Sequence, residues 1–243
     1  MDFNNVYDDE LRALAYAGLE FPGTYYLAFR DLPAIFARHV TGRRALDFGC
    51  GAGRSTRFLQ NLGFETSGVD IAAEMIRQAR KMDPGGDYHL VADSTAGPFD
   101  QPVFDLILAA FTFDNIPTRE KKRVLFRTLG RCLKSGGVIV NLVSAPEIYV
   151  HEWASFSTRD FPGNRTAVSG QKVRIVMKDV PDQRPVEDIL CADEEYRAIY
   201  AASNLELVTT YRPLADGSEP FIWIHETRVP PWVIYILRHL TTG

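Results

Sequence analysis

Cysteine is scarce in this chain of 243 residues: Cys50, Cys132 and Cys191 lie far apart and are odd in number. They spell neither a disulfide framework nor a cysteine-based zinc site. An excess of positive charge is also missing. Lys and Arg total 27 against 31 Asp and Glu, a net charge of −4, so the general electrostatic footprint of a nucleic-acid binder is absent, although a local basic patch is not excluded. Long apolar runs are lacking too; the stretch Trp232 to Leu237 is far too short to cross a bilayer. The opening MDFNNVYDDE is acidic and has no apolar h-region, so no signal peptide is expected and a reducing, cytoplasmic setting is the default. No repeat or low-complexity tract occurs. His151-Glu152-Trp153 does not have zinc-ligand spacing, and no metal cluster is read.

What is present is an apolar fraction of 46%, enough to bury a real core in one large domain over 1–243. The first forty residues read as helices broken at Phe21-Pro22-Gly23, with a second helix around Leu27, Ile35 and Phe36. Tyr7, Tyr16, Tyr25 and Tyr26 give this segment (1–42) many amphipathic tips, as a lid over a site needs. Over 43–144 strands alternate with helices: ALDF, then a helix from Arg54; Glu65 to Asp70, then Ala73 to Lys81; Asp87 to Ala92; the buried run Val103 to Ala110; a helix from Pro117 to Leu133; and Val138 to Val143. That rhythm predicts βαβ units and a parallel sheet.

The rhythm breaks after Ser144. Over 145–192, Val173, Ile175 and Met177 alternate with Lys172, Arg174 and Lys178, and PDQR precedes Val186 to Cys191, so a hairpin is expected inside an insertion over the sheet's carboxyl edge. The remainder, 193–243, predicts a helix over Asp193 to Ser203 and two antiparallel strands, Leu205 to Tyr211 and Phe221 to His225, joined by ADGSEP. VPPWVIYILRHL reads as a packed tail, helix or strand.

Open parallel sheets bind ligands outside the carboxyl ends of their strands. There the first strand runs into Asp47-Phe48-Gly49-Cys50-Gly51-Ala52-Gly53 and a helix starts. Glycines allow a tight turn and close backbone approach, and the helix N-terminus offers free N–H groups to a carboxylate or phosphate. A dinucleotide fingerprint G-x-G-x-x-G is spoiled by Arg54 in its third glycine position. Asp70 closes the second strand, where a carboxylate accepts from ribose hydroxyls.

Five blocks in order, LDFGCGAGRSTRFL, GVDIAAEMIRQAR, VADSTAGPF, FDLILAAFTFDNI and LKSGGVIVNLV, span about residues 44 to 144. In order and spacing the chain resembles the class I S-adenosylmethionine-dependent methyltransferases. The resemblance implies an α/β fold: a Rossmann-like, doubly wound sheet of seven strands, mostly parallel with an antiparallel last strand, carrying a helical lid and a hairpin-containing insertion after the fifth strand. It also implies S-adenosylmethionine as cofactor, S-adenosylhomocysteine as product, and transfer of the sulfonium methyl group in line to an O or N atom of a small-molecule acceptor.

The resemblance assigns Asp47 and the turn Gly49, Cys50, Gly51 and Gly53 to the methionine moiety, with Asp47 accepting from its ammonium or bracing the loop. Asp70 takes the ribose, Ile71 and Met75 flank adenine, Asp93 and Ser94 meet its edge, and Ala109, Ala110 and Phe111 line the sulfonium. Arg30 is placed to reach the α-carboxylate from the lid, or Tyr25 or Tyr26 by hydroxyl; a surface arginine is the plainer reading of Arg30. Arg54 and Arg57 read as solvent-facing. Asp114 and His151 are the candidate bases, with helix capping the competing role for Asp114 or Asn115. Asn115, Tyr149 and Trp153 are the candidate substrate contacts.

The tetrapeptide (N/D)PP(Y/F) of the DNA- and glutamine-methylating members is replaced here by FDNI, which disfavours that type. Two other readings stay open: an NAD-dependent oxidoreductase on the same sheet, and a non-catalytic S-adenosylmethionine-binding scaffold. Neither nucleic acid nor membrane is expected as a partner, and the sequence leaves monomer or homodimer open.

Overall fold

A computed structural model describes residues 18–92, 99 and 101–240. Asp93 and Ser94 lie outside the described residues, as do Tyr7 and Tyr16.

The lid begins where Pro22 and Gly23 break the chain. Helix α1 (Thr24–Arg30) and helix α2 (Leu32–His39) follow, the second with Pro33 in its first turn, where a missing N–H costs nothing. The alternating part then runs β1 (Arg44–Phe48), α3 (Arg54–Asn61), β2 (Glu65–Asp70), α4 (Ala73–Met82), β3 (Asp87–Leu90), β4 (Phe104–Ala110), α5 (Arg119–Cys132) and β5 (Leu133–Ser144). The insertion carries β6 (Phe156–Ser157), β7 (Lys172–Met177) and β8 (Val186–Ile189). Helix α6 (Asp193–Ala201), β9 (Leu205–Tyr211) and β10 (Trp232–His239) complete the described chain.

Seven strands form one sheet in the order β3-β2-β1-β4-β5-β10-β9. β1 pairs in parallel with β2 and β4, and β4 with β5, whereas β10 is antiparallel to both β5 and β9. The strand order reverses between β1 and β4, so their carboxyl ends open a crevice. The two faces are read directly from period-two alternation. Leu106 and Leu108, Val140 and Leu142, and Ile234 and Ile236 pack toward the lid and the insertion. Ile107 and Ala109, Ile139 and Val143, and Tyr235 and Leu237 pack on the opposite side, with Phe126 and Leu129 of α5 and Tyr196 and Tyr200 of α6.

Three details differ from the sequence-based expectation. The partner of β9 is not Phe221 to His225 but Trp232–His239. Glu226 accepts from the backbone N–H groups of Ile224 and His225, which curls that segment, and Ile222 is 92% exposed, as no paired core strand would leave it. The sequence read as a tail is therefore the seventh strand, buried from Trp232 through Leu237 between β5 and β9. Strand β5 starts at Leu133 rather than Val138, because Leu133 already pairs with Phe104. Helix α5 is capped by the Thr118 side chain, which accepts from Lys121 N at 3.1 Å; neither Asp114 nor Asn115 does this work.

The expected hairpin is present. β7 and β8 pair antiparallel, with Val173 opposite Asp188, and β6 adds a third short strand at Met177. This small sheet lies over the carboxyl ends of the large one. Its Ile175 and Met177 join the same apolar cluster as Tyr25 of the lid and Trp232 of β10.

Candidate active site

The glycine turn is forced into a left-handed path, with φ of 75° at Gly49, 52° at Gly51 and 83° at Gly53. The N–H groups of Gly49 and Cys50 both donate to Val69 O, which pins the turn against β2. A Cβ at Gly49 would stand 2.3 Å from the Thr112 hydroxyl, whereas one at Gly51 would meet only Met75 Sδ at 3.9 Å and project into open space. Gly51 is thus the position where backbone lies bare to a ligand.

Asp70, at the end of β2, accepts from Gly51 N through Oδ2 and from Ala72 N through Oδ1, each at 2.8 Å. Two backbone amides therefore aim its carboxylate at the cavity. Asp47 sits beneath the turn, fully buried, and accepts from Ser55 Oγ at 2.7 Å and Thr56 Oγ1 at 2.6 Å. Burial pushes its carboxyl up to about 6, against the pull of these two hydroxyls. Of the two roles read for Asp47, bracing the loop is the one its hydrogen bonds perform.

A cavity of about 250 Å³ opens above this turn. Its first part is bounded by Gly49, Cys50, Gly51, Asp70, Ile71 and Met75. Ala110 and Phe111 bring the end of β4 to its floor, with Phe111 held at φ 64°, a strained backbone state for a bulky residue. The lid closes it through Tyr25, whose ring stacks on Trp232 at 5.7 Å and whose hydroxyl reaches Met177 Sδ at 3.7 Å. Arg54 lines the cavity rather than facing solvent alone. Its guanidinium lies 4.8 Å from the Tyr25 ring centre and 5.5 Å from those of Phe21 and Phe29, and its Nη1 donates to Glu20 O at 2.6 Å.

The far part of the same cavity holds Asp114, Asn115, Ser144, Tyr149 and Asp188. Asp114, 5% exposed, accepts from Ser144 N at 3.0 Å. Tyr149 donates its hydroxyl to Asp188 Oδ2 at 3.0 Å. Burial raises both carboxyls above the ordinary range, and the charge of Asp114 raises Asp188 further. Behind them the buried Lys122 donates to Phe113 O and lies 5.5 Å from the Tyr196 ring, its own pKa lowered by desolvation.

Most of the residues named from sequence converge here. Gly49, Cys50, Gly51, Asp70, Ile71, Met75, Ala110, Phe111, Asp114, Asn115 and Tyr149 all line the one cavity. Others do not. Arg30 is turned away, bonded to Asp31, to Glu219 at 2.6 Å and to Leu214 O, because a neighbouring carboxylate pair outcompetes the distant cavity for its guanidinium. Tyr26 packs on Phe221 at 5.4 Å. Gly53 sits under Tyr88, Ala109 lies within the core, and neither lines the cavity. Trp153 is wholly buried, its indole N–H donating to Ile148 O at 2.8 Å, and forms the insertion's own core. His151 lies in a second cleft with Glu152, Arg159, Arg165 and His225, its ring 4.9 Å from that of His225. Burial and His225 lower its pKa, as a base needs, but it is not among the residues lining the first cavity.

Arg54, Asp188 and Trp232 were not singled out as site residues from sequence. Asp188 carried a signal: the alternation that turns Val186 inward on the predicted hairpin turns Asp188 inward with it. Trp232 needed the seventh strand to be placed first.

The residues fit an adenosyl amino acid: bare backbone at Gly51, an aimed carboxylate at Asp70, an apolar slot at Ile71 and Met75, and a cation at Arg54. Comparison with known proteins agrees. A family profile described as a methyltransferase domain matches residues 46–141. A trans-aconitate 2-methyltransferase of Rhodopseudomonas palustris is 27% identical over 86% of this chain and 80% of its own. A malonyl-[acyl-carrier protein] O-methyltransferase of Enterobacter lignolyticus is 32% identical over 45% of this chain. The chain spans only 43% of that relative's length. Among solved structures, the CcbJ methyltransferase of Streptomyces caelestis superposes with a TM-score of 0.66 at 17% identity, over 96% of this chain and all of the other.

Proposed function

Because residues 46–141 match a methyltransferase-domain profile and carry a nucleoside-type cradle, we propose that the chain transfers the methyl group of S-adenosylmethionine to an oxygen or nitrogen of a small molecule held under the lid and the insertion. One observation carries this reading: the nucleoside-type cradle at Gly51 and Asp70 and the polar group of Asp114, Tyr149 and Asp188 share one cavity. A concave, mostly apolar cavity with a few convergent polar groups is the form small-molecule sites take.

The donor supplies an activated methyl carbon, so the chain's work is binding, alignment and exclusion of water. Asp70 would hold the ribose hydroxyls, and Ile71 and Met75 would flank the base. Arg54, at the first position of α3, would meet the amino-acid carboxylate. Asp47 fixes the turn from below through Ser55 and Thr56. Tyr25, Phe111 and Trp232 wall the transfer position with aromatic faces, which tolerate a sulfonium and keep water out. Asp114 and Asp188 stand where an acceptor proton must be removed.

The oligomeric state plays no part in this reading. Among the described residues no helix is long and apolar enough to cross a membrane. The three cysteines are buried, and a reducing, cytoplasmic setting belongs to the proposal.

The test is calorimetric titration with S-adenosylmethionine and S-adenosylhomocysteine, with NAD and NADP for comparison and Asp70→Ala as control. Micromolar binding of the first two, weakened at least about tenfold by the substitution, is expected, since a hydrogen bond to a charged group contributes about 1.5–3 kcal/mol. Binding of NAD alone would transfer the cavity to an oxidoreductase. Cofactor binding without methyl transfer to any acceptor would leave a scaffold.

A further inference from the structure

The charged side chains that line the cavity, among the described residues, are Arg54, Asp70, Asp114 and Asp188. Arg54 and Asp70 stand at the glycine turn. The acceptor end therefore presents two carboxyl groups and no cation. Asp188 is 7% exposed, and Tyr149 covers its Oδ2 alone. Its Oδ1 takes no hydrogen bond from the described residues, although the side chain lines the cavity. A carboxylate oxygen that opens onto a largely apolar cavity without a protein donor marks a place where a ligand donor belongs.

Resting on the proposed function, we infer that the methyl acceptor is an amine with an apolar body, taken up as its ammonium ion at Asp188 and methylated on nitrogen.

The alternatives match the site's charge less well. A carboxylate acceptor would add a negative group beside two carboxyls whose ionisation burial already opposes, and among the described residues the nearby cation, Lys122, does not line the cavity and donates to Phe113 O. A neutral hydroxyl would be accommodated, but it would leave two adjacent buried carboxyls without a counter-charge from the ligand. An ammonium donates to Asp188 Oδ1 and supplies that charge. The surroundings suit its body: Ile148, Phe156, Ile175 and Val186 are apolar, and the faces of Tyr25 and Trp232 favour a cation.

The proton balance is explicit. Asp188 takes one proton from R–NH3+, leaving R–NH2 with a free electron pair. That pair forms the N–CH3 bond while the CH3–S bond breaks with its electrons returning to sulfur. The products are R–NH2+–CH3 and neutral S-adenosylhomocysteine, and the proton on Asp188 leaves to solvent when the product does.

The groups facing Asp188 are Tyr149 from the turn after β5, Asp114 from the turn after β4, Lys122 from α5 and Glu187 beside it on β8. Glu187 is already bonded to Lys172 and Arg174, and Lys122 is bonded to Phe113 O. Asp114 and the buried setting together favour the protonated form of Asp188 until a cation arrives. Amine binding is thereby linked to proton release.

The experiment loads the protein with S-adenosylhomocysteine, which separately reports the cofactor site. It then titrates 2-phenylethylamine, 2-phenylethanol and phenylacetate by calorimetry in buffers of different ionisation enthalpy. In parallel, methyl-labelled S-adenosylmethionine is offered to panels of small amines, alcohols and carboxylic acids. The amine should bind at least about tenfold more tightly than phenylacetate, release a proton on binding, and bind more tightly as pH rises from about 6 to about 8. Asp188→Asn should abolish the proton release and the pH slope while leaving S-adenosylhomocysteine binding intact. Label should appear on the amine panel, stable to mild base.

Base-labile label on the acids, label on the alcohols alone, or no label on any amine with the cofactor bound would overturn the inference. So would equal binding of amine and phenylacetate, a comparison made on the wild-type protein and independent of whether Asp188→Asn folds. Failure of S-adenosylhomocysteine itself to bind would instead remove the proposed function beneath it.

Discussion

The Thr24 hydroxyl donates to Glu226 Oε1 at 2.7 Å, joining two residues 202 positions apart. The same oxygen accepts from Ala154 N at 2.7 Å, and Oε2 accepts from Ile224 N at 2.8 Å and His225 N at 3.1 Å. Glu226 is wholly buried. The lid, the insertion and the loop before β10 thus hang on one carboxylate, and the Trp232 indole N–H closes the ring by donating to Thr24 O at 2.8 Å.

This arrangement predicts a large cost for Glu226→Gln. Both carboxylate oxygens face backbone donors, so either orientation of the amide would turn its NH2 toward an N–H group. The protein should lose about 2–3 kcal/mol, the penalty of leaving buried polar groups unsatisfied. Urea denaturation at constant slope measures it. An unchanged midpoint would show that these segments are held by packing alone.

Asp47 predicts a pH dependence of stability with a definite sign. Its carboxyl titrates near about 6 in the folded protein, against about 4 in the unfolded chain. Between those values the native state keeps a proton that the unfolded state has lost. Its contribution therefore falls as pH rises through that window, by up to about 3 kcal/mol, and is constant above it. Subtracting the stability curve of Asp47→Asn from that of the wild type isolates the effect, since Asp114 and Asp188 share its sign. The difference should slope between about pH 4 and 6 and be flat above. A flat difference throughout would mean Asp47 is ionised without penalty.

How much of this was legible in the sequence follows from how local each signal is. The Gly49–Gly53 turn and Asp70 were readable because a strand, a turn and a helix start lie within a few residues of one another. β10 was not, because its pairing with β5 and β9 is long-range, and Phe221 to His225 offered a nearer apolar segment with a plausible turn. His151 and Trp153 were misplaced for a related reason. Following the fifth strand puts them near the carboxyl edge, but only tertiary packing decides that Tyr149 looks into the cavity and His151 into the neighbouring cleft. Arg30 looked like a lid cation until Glu219, 189 residues away in the chain, supplied its partner.

Gly51 predicts a separation of stability from binding. Its φ of 52° is strained for any L-residue, yet an added Cβ would clash with nothing nearer than Met75 Sδ at 3.9 Å. Gly51→Ala should therefore fold, at a cost of about 1–2 kcal/mol for the left-handed backbone. The methyl group would occupy the space a ligand's close approach requires, so S-adenosylhomocysteine affinity should fall by about a hundredfold or more. Thermal melts and calorimetry on the same sample compare the two losses. Equal binding in variant and wild type would remove Gly51 from the cradle.

Arg54 predicts which part of the ligand it serves. Its guanidinium lies over the rings of Phe21, Tyr25 and Phe29, and one nitrogen is fixed by Glu20 O. That orientation depends on a planar fork, which lysine lacks. Arg54→Lys should lower S-adenosylhomocysteine affinity about tenfold, the scale of one charge-assisted hydrogen bond. Affinity for 5′-methylthioadenosine, which has the nucleoside and sulfur but no amino-acid carboxylate, should change by less than about twofold. Two calorimetric titrations on each protein decide it. Equal losses for both ligands would place Arg54 in the closure of the lid, acting through Tyr25. A loss confined to S-adenosylhomocysteine assigns its charge to the carboxylate, the role the sequence had suggested for Arg30.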